Sequence, residues 1–153
     1  MRSVAAEVVF LITLAGCAAE GPVQATTVVF DGESYTIDGP ASCVRQVNGK
    51  LAIDAPVHPK WGGVPMEGGR KLIRVVLTDA QRLVVESAGI RLGDVRGFSD
   101  VPDDMWATKA DNNYTINGRM APDDGSRASH QFKIEVTCVS IENQYLPVNP
   151  PPG

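Results

Sequence analysis

The chain has 153 residues, 43% of them hydrophobic, and a formal net charge of -4. That length suits one domain with a real core and leaves no comfortable room for two. The acidic balance, with cations scattered from Lys50, Lys60 and Arg70 to Arg96, excludes both the basic stripe a nucleic-acid partner needs and a polybasic patch for an anionic bilayer.

Arg2 is followed by a short apolar run, Val8 to Ala15, which is too short to cross a bilayer but has the length of a signal-peptide core. The run ends in Leu14-Ala15-Gly16-Cys17, which resembles the bacterial lipobox. Small residues before the cysteine let an extended backbone enter a peptidase cleft, and a thiolate is the nucleophile that accepts diacylglycerol as a thioether. The segment therefore predicts a signal peptide over residues 1–16 and lipidation of Cys17, against the plainer reading of an unmodified thiol at the end of an ordinary signal. Two or three acyl chains on Cys17 anchor a protein stably where one does not. This covalent lipid is the one non-protein group the sequence implies, and it places the protein on the outer face of the cell membrane, within the cell envelope. Residues 17–27 read as the lipidated N-terminus and a short tether, because Ala18 to Thr27 has no hydrophobic periodicity. Ten residues fully stretched span at most about 36 Å, which keeps the following domain near the membrane surface.

From Val28 the apolar pattern takes period two, which sends successive side chains to opposite faces of a strand. Asp31-Gly32, between Val28-Val29-Phe30 and Tyr35-Thr36-Ile37, predicts a tight turn, and Asn48-Gly49, between Val47 and Leu51, predicts a type I′ hairpin. Leu72 to Leu77 is a further strand that Thr78 to Gln81 turns into Leu83-Val84-Val85. Asp79 to Glu86 would also fit a turn or two of helix, against which Val84, Val85 and Gly89 count. Ile90, Leu92, Val95 and Phe98 continue as strand across Gly93-Asp94, and Tyr114 to Gly118 alternates again. The clearest alternation is Phe132 to Cys138, with Phe132, Ile134, Val136 and Cys138 on one face and Lys133, Glu135 and Thr137 on the other. Asp54 to Arg70 and Ser99 to Asp104 read as loops. The last residues, Leu146 to Gly153, hold four prolines, which cannot donate to a sheet ladder, and read as an extended tail. The expectation is an all-β domain over residues 28–139, an antiparallel β-sandwich or partly closed barrel of about eight to ten short strands, with a Pro-rich tail over 140–153.

The chain has three cysteines, an odd number. With Cys17 assigned to lipid, Cys43 and Cys138 remain as a pair in a protein bound for an oxidising compartment, which predicts a disulfide between them. The alternative is two buried thiols that never meet. Because Cys138 falls on the apolar face of its strand, a bond to Cys43 would be internal.

Signals for catalysis are weak, and no catalytic residue or metal ligand set is predicted. The two histidines, His58 and His130, have no second His or Cys at metal-ligand spacing. The chain has no nucleophile elbow, phosphate loop or dinucleotide fingerprint. Asp123-Asp124-Gly125-Ser126 lacks the alternating ligands of a calcium loop and reads as a turn, and Asp100, Asp103 and Asp104 as a solvated loop. Asn113-Tyr114-Thr115 matches an N-glycosylation acceptor pattern, an incidental match in a bacterial envelope protein. Trp61 and Trp106 both sit beside loop-like sequence. They fit either plugs at the end of a β core, the favoured reading, or a groove for a glycan or acyl ligand.

In order, VVFDG (28–32), Cys43 with NGKLAI (48–53) after it, VLTD (76–79), AGIRLGDVRG (88–97), ATKADNNYTINGRM (107–120) and FKIEVTC (132–138) resemble the mycobacterial LpqH-type lipoprotein antigen family. The likeness runs from about Val28 to Cys138, with the lipobox in front of it. It implies an exported, acylated envelope protein whose lipidated N-terminus can be sensed by a Toll-like innate immune receptor, and it carries lipidation to Cys17 and the disulfide to Cys43 and Cys138. A membrane-anchored surface antigen or interaction module is thus the first expectation, and a periplasmic carrier or sensor of lipid or glycan the second. Two departures stand out. The family's tether is rich in sugar-bearing threonines, of which only Thr26 and Thr27 have counterparts here, and this chain runs on past its closing cysteine.

Overall fold

The computed structural model describes residues 24–56, 71–79, 81–122 and 129–144. Cys17, His58, Trp61 and Asp123 to Ser126 lie outside them. The chain lays down β1 (Thr26–Phe30), β2 (Glu33–Ile37), β3 (Ser42–Arg45), β4 (Leu51–Ala55), β5 (Lys71–Asp79) and β6 (Leu83–Leu92). It continues through β7 (Val95–Ser99), a 3-10 turn at Pro102–Asp104, β8 (Met105–Ala110), β9 (Asn113–Pro122), β10 (His130–Thr137) and β11 (Glu142–Asn143). The all-β expectation holds, with eleven strands among the described residues where about eight to ten were read.

Turn chemistry explains the hairpins. Asp31 and Gly32 both adopt positive φ, 48° and 85°, the backbone a two-residue type I′ connection requires, and they join β1 to β2 with Phe30 opposite Glu33. Asn48-Gly49 departs from its expected type. Gly49 N–H donates to the Gln46 carbonyl at 2.9 Å and Gln46 N–H to the Lys50 carbonyl at 2.8 Å, so the loop has three residues, with Gly49 at φ 80°. That is a type I turn closed by a glycine bulge, and the Asn48 side chain accepts from Lys50 N–H at 3.0 Å instead of taking a left-handed backbone. The β5–β6 hairpin forms where it was read, the two strands running antiparallel with Asp79 opposite Leu83.

The strands form one sheet in the order β11-β3-β4-β5-β6-β7-β9-β10-β1-β2, with β8 attached to β9. All neighbours are antiparallel except β11 on β3. β9 makes the sheet curl. Along one edge it pairs with β10 from Asn113 to Met120, and along the other it pairs first with β8 and then, at Ala121 and Pro122, with β7. The result is an open half-barrel whose two walls, β3 to β7 and β8-β9-β10-β1-β2, face each other. Val28, Ile53, Val75, Leu77, Ile116 and Ile134 are each 0% exposed and fill the space between them. Tyr114, Ile116, Gly118 and Met120 of β9 point inward and Asn117 and Arg119 outward, as the period of two dictates.

Cys43 on β3 is bonded to Cys138, just past β10, with 5.8 Å between their Cα atoms. Both cysteines are buried, at 3% and 1% exposure, and the bond ties one wall of the half-barrel to the other. It also explains a correction at the C-terminal boundary. The tail was expected to begin at residue 140, yet Glu142 and Asn143 pair with Val44 and Arg45, and Gln144 N–H donates to the Arg45 carbonyl at 2.8 Å. Once Cys138 is fixed to Cys43, the residues after it run beside β3, whose free edge they cover. The N-terminal boundary moves too, because β1 begins at Thr26, two residues inside the expected tether. Thr26 is 1% exposed and pairs with Ile37, which leaves no space for a sugar on its hydroxyl.

Candidate ligand groove

The outer face of the β8-β9-β10-β1-β2 wall carries the one tryptophan among the described residues. Trp106, expected beside a loop and favoured as a plug for the core, lies on β8 at 59% exposure. Its neighbour Met105, 6% exposed, takes the inward position after the 3-10 turn, and strand alternation then sends Trp106 to solvent. Register extends this position across the sheet. Trp106 stands opposite Asn117, Asn117 opposite Lys133, Lys133 opposite Val29, and Val29 opposite Ser34. One outward row thus crosses five strands.

An open groove of about 340 Å³ runs along this row, lined by Trp106, Asn117, Arg119, Gln131, Lys133 and Val29. Its floor depends on Gly118. A Cβ built there would lie 2.7 Å from the Asp104 carbonyl oxygen and 2.8 Å from Met105 Cγ, so only glycine lets the start of β8 approach β9 this closely. The far end is held by the β1–β2 turn. Asp31 Oδ1 accepts from Gln131 N–H at 2.9 Å, Asp31 N–H donates to the Gln131 carbonyl at 2.9 Å, and Asp31 Oδ2 meets His130 Nδ1. The bond with His130, then that from Gln131 N–H, hold the Asp31 carboxyl below its ordinary pKa. His130 in turn stacks on Phe30 at 5.1 Å between ring centroids. A histidine without a metal-ligand partner in the sequence thus fastens the turn that bounds the groove.

A second open groove, of about 320 Å³, adjoins the first at Arg119 and includes Phe98, Val101, Asp100 and Asp104. Phe98 is 55% exposed and pairs with Ala121, which is outward like Asn117 and Arg119 on the same strand. Of the sequence candidates, then, the structure brings Trp106, Asp100 and Asp104 to one surface, whereas Cys43 and Cys138 serve the core. Arg119, Gln131 and Phe98 were not singled out. Their outward parity was readable from the alternation, but their common neighbourhood required the pairings of β9. Among the described residues, no group of three or more His, Cys, Asp or Glu could hold a metal ion, and no helix is long and apolar enough to cross a membrane.

The sequence profile of the Mycobacterium 19 kDa lipoprotein antigen family matches residues 18–138. The chain belongs to this family. The match opens on the residue after Cys17 and closes on Cys138, so the family's shared region is the half-barrel together with the segment leading into it. Glu142 and Asn143, which add the parallel strand β11, lie beyond it. Membership identifies a lipoprotein antigen of the mycobacterial type, consistent with the cell envelope. A search of curated proteins found no match.

Proposed function

We propose that the protein is an envelope lipoprotein anchored to the outer face of the cell membrane through acyl chains on Cys17. The observation that carries this reading is the placement of Leu14-Ala15-Gly16-Cys17 directly before the region the antigen family shares, which begins at residue 18. Two features support it. The Cys43–Cys138 disulfide fits export to an oxidising compartment. The first strand starts at Thr26, so the intervening residues 18–25, fully stretched, reach at most about 29 Å and hold the half-barrel close to the bilayer. The acylated N-terminus is the part a Toll-like innate receptor would sense. The half-barrel acts as the displayed interaction module. A lipid-carrying role inside the barrel is disfavoured by the side chains that fill its interior, Ile53, Val75, Leu77 and Ile116 among them, all at 0% exposure.

Intact mass analysis of protein extracted from its own envelope tests the anchor. The expected species begins at Cys17 and carries the mass of a diacylglyceryl group with or without an amide-linked acyl chain. Cys17→Ala is expected to shift the protein from the membrane fraction to the medium and to abolish receptor activation. An unmodified mature N-terminus, or a Cys17→Ala protein that stays with membrane lipid, would overturn the reading.

A further inference from the structure

We propose that the outer face of β7, β8, β9 and β10 binds a neutral hexopyranose oligosaccharide, with Trp106 and Phe98 stacking on sugar rings and Arg119, Asn117 and Gln131 hydrogen-bonding the hydroxyls between them. The site is separate from Cys17 and does not depend on the anchor.

Register supplies the geometry. Trp106 flanks β9 at Asn117 and Phe98 flanks the same edge of β9 at Ala121. Four residues of strand separate those positions, about 13 Å, and Arg119 projects from β9 midway. The two aromatic side chains are 59% and 55% exposed on regular strands. Phe98 is also oriented: it pairs with Gly89, and its Cδ2 lies 3.7 Å from where a Cβ on Gly89 would stand, so the ring rests on a bare backbone. A flat ring with one face supported offers the other to polarised C–H bonds, which the negative π face attracts. The spacing exceeds a single sugar ring, so the occupant is a linear oligosaccharide.

The polar groups favour sugar over acyl chain. Asn117, Arg119 and Gln131 have no side-chain hydrogen-bond partner among the described residues, while Lys133 is paired with Glu135 at 2.7 Å. Amide and guanidinium groups supply donors, and amides acceptors, for hydroxyls that are both at once. An acyl chain crossing from Trp106 to Val29 would strip water from Asn117 and Lys133 and return no hydrogen bond. Charge decides between neutral and acidic sugars. Asp100 and Asp104 line the Phe98 half beside the single guanidinium of Arg119, and that pair of carboxylates would repel a uronate or phosphate while accepting from neutral hydroxyls. The groove also lies toward Val29 and Gly32, at the opposite end of β1 and β2 from Thr26, where the chain comes in from the anchor.

The test is saturation-transfer NMR and titration of the full-length chain, kept in sugar-free amphiphile, with linear neutral gluco- and mannopyranose oligosaccharides. Saturable binding is expected, with transfer to ring C–H protons. Trp106→Ala and Phe98→Ala are each expected to weaken it by about tenfold or more at an unchanged melting midpoint. The Cys17→Ala chain should bind equally well, so this result stands or falls apart from the anchor. Absence of saturable binding by either sugar series overturns the proposal. So does an affinity unchanged in the Trp106→Ala, Phe98→Ala double variant, or binding to phosphatidylcholine vesicles by the Cys17→Ala chain that Trp106→Ala abolishes.

Discussion

The two walls of the half-barrel differ in how far their outward polar side chains are paired. On the wall built from β3 to β6 three ion pairs tie charged side chains together. Arg45 grips Asp79 through two hydrogen bonds of 2.7 and 3.0 Å, Lys50 meets Glu86 at 3.2 Å, and Glu86 also accepts from the Thr78 hydroxyl at 2.8 Å. Arg74 lies 3.7 Å from Asp54, its direct partner in register. On the wall of β8, β9 and β10, Lys133 pairs with Glu135 and the Thr137 hydroxyl donates to Asn113, but Asn117, Arg119 and Gln131 point outward with their side-chain groups left to solvent, beside an open tryptophan. The inward faces of both walls are largely apolar, with the Tyr114 hydroxyl on β9 an exception. Polar groups already paired with one another have less to offer a ligand than unpaired planar donors beside an exposed ring.

The largest expected effects concern what joins the walls. Cys43→Ser or Cys138→Ser is expected to lower stability by up to about 4 to 5 kcal/mol, because the bond closes a loop with a sequence separation of 95. The double variant should add little to either single one in thermal melts, and strongly additive losses would mean that the sulfurs act independently. Next comes the floor of the groove. Gly118→Ala forces a Cβ against the Asp104 carbonyl and the Met105 and Phe132 side chains, for an expected loss of about 2 to 3 kcal/mol in denaturant titration. Gly97→Ala should cost less, since its contacts under or at 3.0 Å are with the flexible Met120 side chain.

Smaller effects separate the two outer faces. Asp79→Asn is expected to cost about 1 to 2 kcal/mol at neutral pH, as it removes a bidentate pair whose carboxylate side chain is only 9% exposed. The hydrogen bonds from Arg45 hold the Asp79 pKa below its ordinary value of 3.8, so this contribution is complete above that value and is lost as pH falls below it toward the folded-state pKa. The difference between wild type and Asp79→Asn should therefore shrink in acid, and a constant difference down to the acid transition would show that the ion pair is not its source. Trp106→Ala, at the other wall, is expected to leave stability within about 0.5 kcal/mol of wild type. A larger loss would make Trp106 a packing residue after all and erase the contrast between the walls.

Much of the half-barrel was legible because a strand with one buried face must alternate. Phe132, Ile134, Val136 and Cys138 were assigned inward from sequence, and each is at most 4% exposed. Asp31-Gly32 announced its turn through the positive φ that both residues adopt. Asn48-Gly49 announced a hairpin but not its type, since the loop length depends on which flanking residues pair. Trp106 does stand beside a turn, the 3-10 segment that ends at Asp104, but its direction was not legible: only the pairing of β8 with β9 shows that a strand begins at Met105 and that the tryptophan takes the outward side.

Local chemistry written into consecutive residues, then, was determined by sequence alone: the apolar run ending at Cys17, the period of two, the turn residues and the pair of cysteines left for each other. Short-range sterics and side-chain parity act within a few residues, and they need no partner to be read. Tertiary structure decided which strands lie side by side, and with them the curl at β9, the strand that the disulfide lays beside β3, and the meeting of Trp106, Phe98 and Arg119 on one face. Those are contacts between segments far apart in the chain, chosen by the shared burial of a core that no single segment contains.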